Sequence, residues 1–236
     1  MKNIYHSDIY KFDTPVSSYW EDTSSENLNL EKLTKDINSE IVVIGGGYTG
    51  LLCAINLIEN HNLDVILVEA GKIGWGASSR NAGFNCLPPS KMSYKKMQSI
   101  YGIEETKKFF KNSVEGSNHT RDIIKEYNIQ CDITGDCNYV VAHHKSKFEQ
   151  IKEQAEAYKS EFGIKTKIYS KEEFNEIGHG GTEQYGAFSY KPGFAINPLK
   201  FLNGIAKYGL SKKLKMFEQT KVNQITKENG SYVLKT

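Results

Sequence analysis

The sequence predicts an α/β fold divided between two domains, on three observations. A four-residue apolar block, Ile41–Ile44, runs without a break into a glycine turn. A helical apolar period and a second block, Val65–Val68, then complete a strand, helix and strand within about 30 residues. Beyond residue 91 short β-rich runs alternate with amphipathic stretches, which gives the second domain a mixed α+β character.

Composition agrees with this and narrows the function. The 236 residues are 39% hydrophobic and 25% charged, enough for one or two cores and unlike a disordered or collagen-like chain. No apolar run approaches the roughly 18 residues that a membrane helix needs. Residues 1–40 lack an apolar h-region and carry Asp8, Asp13, Glu21 and Asp22, so neither a secretory signal nor a transit peptide is expected, and a cytoplasmic location is. Thirty basic residues against 28 acidic leave a charge of +2 with no basic stripe, and only two of the thirty are arginines, Arg80 and Arg121. Nucleic acid is therefore not an expected partner. Cys53, Cys86, Cys131 and Cys137 show no C-x-x-C spacing, which predicts reduced, mostly buried thiols and no metal site.

In chain order, residues 1–39 read as an irregular arm with a short helical turn, its tyrosines and Trp20 packing on a surface. Residues 40–90 and about 195–236 form the nucleotide-binding domain, and 91–194 the helical and mixed segments between them. The Gly- and Ser-rich stretch 71–89 is a loop with one short helix opening near Ala77. Helices are expected at 91–100, 104–127 and 147–162, with Phe110, Val114, Ser117, Arg121 and Ile124 near one face of the second. Strands are expected at 137–142, 166–169, 186–190, 214–218, 222–226 and 232–235. A helix over 197–207 has Asn197 as N-cap and Pro198 at its first position, and Asn229-Gly230 marks a hairpin turn.

The glycine turn carries the strongest chemical signal. Gly45-Gly46-Gly47-Tyr48-Thr49-Gly50 fits G-x-G-x-x-G between a buried strand and a helix, the context that makes the pattern specific. Gly45 permits the turn, Gly47 admits a pyrophosphate to the backbone and Gly50 allows close packing of helix on strand. The helix N-terminus offers N–H groups and the positive end of a dipole to phosphates. Glu69, 19 residues beyond Gly50, would accept from ribose hydroxyls and repel a 2′-phosphate. The ligand is an adenine dinucleotide, FAD or NAD. The following stretch, Ile73-Gly-Trp-Gly-Ala-Ser-Ser-Arg-Asn-Ala-Gly-Phe84, suits a backbone wrapped against an extended cofactor, and Arg80 within it is expected to face that cofactor.

The order I-V-V-I-G-G-G-Y-T-G-L, V-E-A, I-G-W-G-A-S-S-R-N-A-G-F resembles the D-amino-acid oxidase-type FAD-dependent oxidoreductases, and among them the gamma-glutamylputrescine oxidase branch. The resemblance continues through Pro192-Gly-Phe-Ala-Ile-Asn-Pro-Leu-Lys200 to Thr220-Lys-Val222. It implies a Rossmann-like FAD/NAD(P)-binding domain with a mixed α+β substrate domain. It implies that Gly45, Gly47, Tyr48, Thr49 and Gly50 bind the pyrophosphate of FAD, and Glu69 with Ala70 the adenosine ribose. Ala77, Ser78, Ser79, Arg80, Asn81 and Gly83 would line the pyrophosphate, ribityl and flavin region, with the Val222 backbone pairing with adenine. The implied reaction is hydride loss from an amine or amino acid to the flavin, hydrolysis of the imine and reoxidation by oxygen. Members of the family are roughly twice this length, so both domains are expected to be incomplete, the chain being either a fragment or one half of a split protein whose partner, a second chain, supplies the C-terminal half. No catalytic residue is assigned. An NAD-linked dehydrogenase and a non-catalytic dinucleotide-binding fragment or subunit are the alternatives.

Other motifs carry less. His143-His144 reads as a solvated loop, Gly178-His179-Gly180-Gly181 as a flexible connection, Cys86 as a packing residue, and Lys95-Lys96, Lys107-Lys108 and Lys212-Lys213 as solvated faces. The sequons Asn118-His-Thr120 and Asn229-Gly-Ser231 have no meaning in a cytoplasmic protein.

Overall fold

A computed structural model describes residues 4–14, 17–24, 27–87, 91–178 and 181–236. In chain order its elements begin with α1 (Tyr19–Asp22), β1 (Ile41–Ile44), α2 (Tyr48–His61), β2 (Val65–Val68), β3 (Phe84–Asn85), α3 (Tyr94–Tyr101) and α4 (Ile103–Glu126). Then follow β4 (Asn138–Val141), α5 (Lys145–Phe162), β5 (Lys165–Tyr169), α6 (Lys171–Ile177), β6 (Ala187–Lys191), β7 (Phe194–Ala195), α7 (Pro198–Ser211), β8 (Lys215–Phe217), β9 (Gln224–Glu228) and β10 (Ser231–Lys235). The chain divides into two compact units.

The first unit comprises the described residues up to Gly83, Ile124–Asp132 and Asn197–Thr236. Its parallel sheet has the order β1-β2-β8, with Ile41 opposite Val65 and Ile66 opposite Lys215. The central strand β2 is buried along its whole length, as a continuous apolar run in a parallel sheet demands. Helices α2 and α7 pack together, with Gly209 of α7 facing Ile55 of α2. Asn197 caps α7 by accepting from the Lys200 N–H at 3.2 Å, with Pro198 in the first turn, as the sequence predicts. Strands β9 and β10 form an antiparallel hairpin turned by Asn229 and Gly230, both at positive φ, the geometry a two-residue turn requires.

The second unit comprises Phe84–Ile123 and Ile133–Ile196. It holds an antiparallel sheet, β4-β6-β5, and a two-stranded ribbon of β3 and β7. Its core is aromatic: Phe110, Tyr158, Phe188 and Tyr190 are buried and Phe109, Phe148 and Phe162 pack against them.

Periodicity missed α6, β3 and β7, because two-residue strands and a helix of seven residues are too short to show a period. The thiol expectation is corrected. Cys131 is buried, but Cys53 and Cys86 are exposed and Cys137 is intermediate. On α2 the inward positions are Leu51, Ala54 and Ile55, which turns Cys53 outward, and Cys86 follows a narrow ribbon with little to cover it. His144 is the N-cap of α5, its Nδ1 accepting from the Ser146 N–H at 3.3 Å. The lysine pairs contribute exposed ion pairs such as Lys95 with Glu153 and Lys108 with Glu105. His179 and Gly180 lie outside the described residues. Among the described residues no helix is long and apolar enough to cross a membrane.

Candidate functional site

The glycine loop leaves the C-terminal end of β1. Gly45 adopts φ +106°, which only glycine takes up readily, and its N–H donates to Val68 O at 2.8 Å, tying the loop to β2. A Cβ at Gly50 would stand 2.0 Å from the Gly45 carbonyl oxygen, so α2 returns against the loop with no space for a side chain. Gly47 is the N-cap of α2 and offers no side-chain cap. The N-cap itself therefore takes none of the free N–H groups of the first turn, which suits an anionic acceptor.

The loop after β2 covers this turn. The Tyr48 N–H donates to Ser78 Oγ at 3.2 Å, and a Cβ on Gly47 would come within 2.9 Å of the same hydroxyl oxygen. Residues Ala77–Ser79 form a 3-10 turn, closed by Asn81, whose Nδ2 donates to Ser78 O at 2.9 Å and whose Oδ1 accepts from the Gly83 N–H at 2.8 Å. Buried Ser79 donates to Gly74 O. Thr49, Ala77 and Asn81 remain exposed on this face, while Gly83 is buried at φ +75°. Arg80 Nε donates to Trp75 O at 2.7 Å, and its guanidinium lies 3.5 Å from Glu21 Oε1. The guanidinium thus meets the N-terminal arm.

Glu69 ends β2 and latches two turns. Its Oε2 accepts from the Gly46 N–H at 2.7 Å and its Oε1 from the Gly71 N–H at 2.8 Å. A carboxylate has about four acceptor positions, so two such bonds leave capacity for ribose hydroxyls. Next to it, the Thr220 N–H donates to Glu69 O at 2.8 Å and the Gln219 N–H to Gly71 O at 2.9 Å. The chain leaving β8 is therefore pinned beside Glu69 and Ala70, with Val222 two residues further on, half-buried and outside any strand. Tyr48 anchors the other side: its hydroxyl donates to Pro198 O at 3.1 Å, and burial pushes its pKa up to about 12. It stays a neutral phenol, a packing and hydrogen-bonding group.

An uncapped helix N-terminus, a backbone cradle that a Cβ would fill and a carboxylate with spare acceptor positions fit a dinucleotide. The family described as DAO, FAD dependent oxidoreductase, matches residues 40–236. The chain belongs to this DAO family. Its cofactor is FAD, and the NAD-linked alternative falls away. A probable oxidoreductase OrdL from Haemophilus influenzae is 27% identical over 232 residues, covering 96% of this chain and 52% of its own length. The gamma-glutamylputrescine oxidoreductase of Escherichia coli is 32% identical over 145 residues, 61% of this chain and 34% of that protein. The solved L-amino acid deaminase from Proteus vulgaris superposes with a TM-score of 0.63 at 18% identity, covering 86% of this chain and 45% of that one. The chain thus spans about half the length of the DAO relatives it matches.

Of the residues expected from the sequence, the structure brings together the glycine turn, Glu69 and the loop around Ser78. It missed the arm contacts to Trp75, Arg80 and Asn81, because no local pattern marks a partner some 60 residues away.

Proposed function

We propose that the protein works as an FAD-dependent oxidase or dehydrogenase of a CH–NH or CH–NH2 group in an amine or amino acid, with a gamma-glutamylated polyamine as the leading substrate class. The observation that carries the reading is the continuous cradle of Gly45–Gly50, Glu69 and the 77–83 loop on one face of a DAO-family unit. The substrate class draws on the 32% identity to the gamma-glutamylputrescine enzyme over part of the chain.

In this reading the first turn of α2 holds the pyrophosphate, with the Gly47, Thr49 and Gly50 N–H groups donating from the backbone while the Tyr48 N–H is held by Ser78 Oγ. The dipole adds about 0.3–1 kcal/mol for a nearby anion. Glu69, next to Ala70, accepts from the ribose hydroxyls, and a charged acceptor of this kind contributes about 1.5–3 kcal/mol per bond. Ala77, Ser78, Ser79, Asn81 and Gly83 line the cofactor beyond the pyrophosphate, with Arg80 bracing their loop from behind. The Val222 backbone borders the adenine. When bound, FAD supplies the hydride acceptor, and the protein supplies orientation.

Substrate oxidation in this reading needs polypeptide equivalent to the other half of the relatives. Strand β1 ends the sheet order, and among the described residues no strand pairs with its outer edge. Ile44 on it is 52% exposed, unusual for a parallel strand. The test is the visible spectrum of the purified chain with added FAD, followed by amine-dependent oxygen uptake and ammonia release with and without the complementary half. A two-banded flavin spectrum that survives gel filtration supports the cradle. A colourless chain, alone and with the complementary half, overturns the reading.

A further inference from the structure

The N-terminal arm lies outside the matched family region, which begins at residue 40, yet it converges on the cofactor-facing loop. Trp20 Nε1 donates to the Asn81 carbonyl at 2.9 Å. Trp75 Nε1, in the loop, donates back to Thr14 O in the arm at 3.2 Å, and its ring meets Phe12 edge-on with centroids 5.0 Å apart. Both tryptophans of the chain are used in this one contact, together with Arg80, one of its two arginines. Glu21 serves twice: Oε2 accepts from the Ser18 N–H at 3.2 Å in the capping box of α1, and Oε1 faces Arg80.

The arm is itself fastened at two further points. Thr23 Oγ1 accepts from Asn197 Nδ2 at the cap of α7, and Glu31 O accepts from the Glu218 N–H at the edge of β8. The loop it meets has little regular structure to hold it. Between Gly71 and Gly83 it contains four glycines, and a chain so rich in glycine loses more entropy on ordering than most. Between residues 74 and 83 its backbone–backbone bonds are short-range, Trp75 N–H to Lys72 O, Ser79 N–H to Gly76 O and Arg80 N–H to Ala77 O, and in the proposed reading FAD lies on the outward face of that turn. A fixed Asn81 carbonyl sets the position of the amide side chain that closes the turn, and through it the Ser78 hydroxyl over α2.

We propose that the arm is a strap that holds the 74–83 loop in its FAD-receiving shape, with Trp20 as a positioning residue for cofactor binding. This rests on the reading of the loop as an FAD contact. Part of the ordering entropy of the loop is then met before the cofactor arrives, so the strap raises FAD affinity without touching FAD.

The experiment compares the wild-type apoprotein with Trp20→Phe, which keeps an aromatic ring and removes the N–H. Two readouts are taken: the FAD dissociation constant by flavin fluorescence, and the rate of tryptic cleavage after Arg80 relative to cleavage after Lys227, both by mass spectrometry of the fragments. Loss of one hydrogen bond should weaken FAD binding and speed cleavage after Arg80, each by about three- to tenfold. Glu21→Gln keeps an acceptor for the Ser18 N–H and removes the charge facing Arg80. It should move both readouts the same way by less, and it carries the test if Trp20→Phe does not fold. Unchanged values in both readouts overturn the strap. Weaker FAD binding without faster cleavage overturns it too, since the effect then does not pass through the loop. If wild-type protein binds no FAD, the functional reading fails, while the cleavage comparison still decides whether the arm holds the loop.

Discussion

In the unit that carries the glycine loop, Gly50 sets helix backbone directly against loop backbone; in the other unit the main buried cluster is built largely of rings. Gly50 brings α2 onto the Gly45 carbonyl, where a Cβ would stand 2.0 Å from the oxygen. By contrast, Phe110 and Phe162 stack with centroids 4.0 Å apart, and Tyr158 meets Phe188 edge-on at 5.9 Å. The aromatic unit buries large side chains, each adding dispersion and apolar area. The glycine unit exposes backbone N–H groups and small residues, and so acquires a surface that a long polar ligand can lie on.

The largest effect that would sharpen this contrast is expected from Phe188→Ala. The side chain is fully buried between Tyr158 and Tyr190, and deleting it should lower stability by about 3–5 kcal/mol in chemical denaturation. FAD affinity without denaturant should change by less than about threefold, since the ring packs on Tyr158 and Tyr190 of its own unit. A parallel collapse of FAD binding would break the contrast.

Gly50→Ala probes the other side. Alanine is favoured over glycine in a helix by about 1 kcal/mol. Here its Cβ would meet the Gly45 carbonyl at 2.0 Å, and backbone cannot swing aside as a side chain can. The clash should win, with a net loss of about 1–3 kcal/mol and FAD binding reduced further because the loop must move. A stabilised variant with normal FAD affinity would show that α2 has more slack than the geometry allows.

The smallest effect concerns Glu218, buried in the glycine unit with Oε1 accepting from the Ile73 N–H at 2.7 Å. Burial raises its pKa, with Glu69 adding a smaller upward push and the Ile73 bond and Lys72 opposing it. A raised folded value means that the folded state holds more protons than the unfolded state between the two pKa values. Stability should therefore fall as pH rises from the ordinary glutamate range through the raised value. Glu218→Gln keeps the acceptor and should flatten that slope in denaturation series across mildly acidic pH. An unchanged slope would assign it to other carboxylates.

Much of the candidate cradle was legible because its signals are local. The glycines, Glu69 and the apolar strands lie within 29 residues, Ile41 to Glu69, and each meets its partner through one turn of a strand, helix and strand unit. The caps of α7 and the hairpin turn at Asn229-Gly230 were legible for the same reason. The ribbon of β3 and β7 was not, since Phe84 pairs with Ala195 across more than 100 residues and two residues show no alternation. Arg80 shows the limit most clearly: its place in the loop could be read, but not the direction of its guanidinium.

Order along the chain, then, determined the family and the cofactor, because a glycine turn between strand and helix needs particular residue types at fixed spacing. Only the tertiary structure decided that Glu69 latches Gly46 and Gly71, that Trp20 grips Asn81 and that Cys53 faces outward. Those contacts join residues of ordinary type at distant positions, and packing, not spacing, selects them.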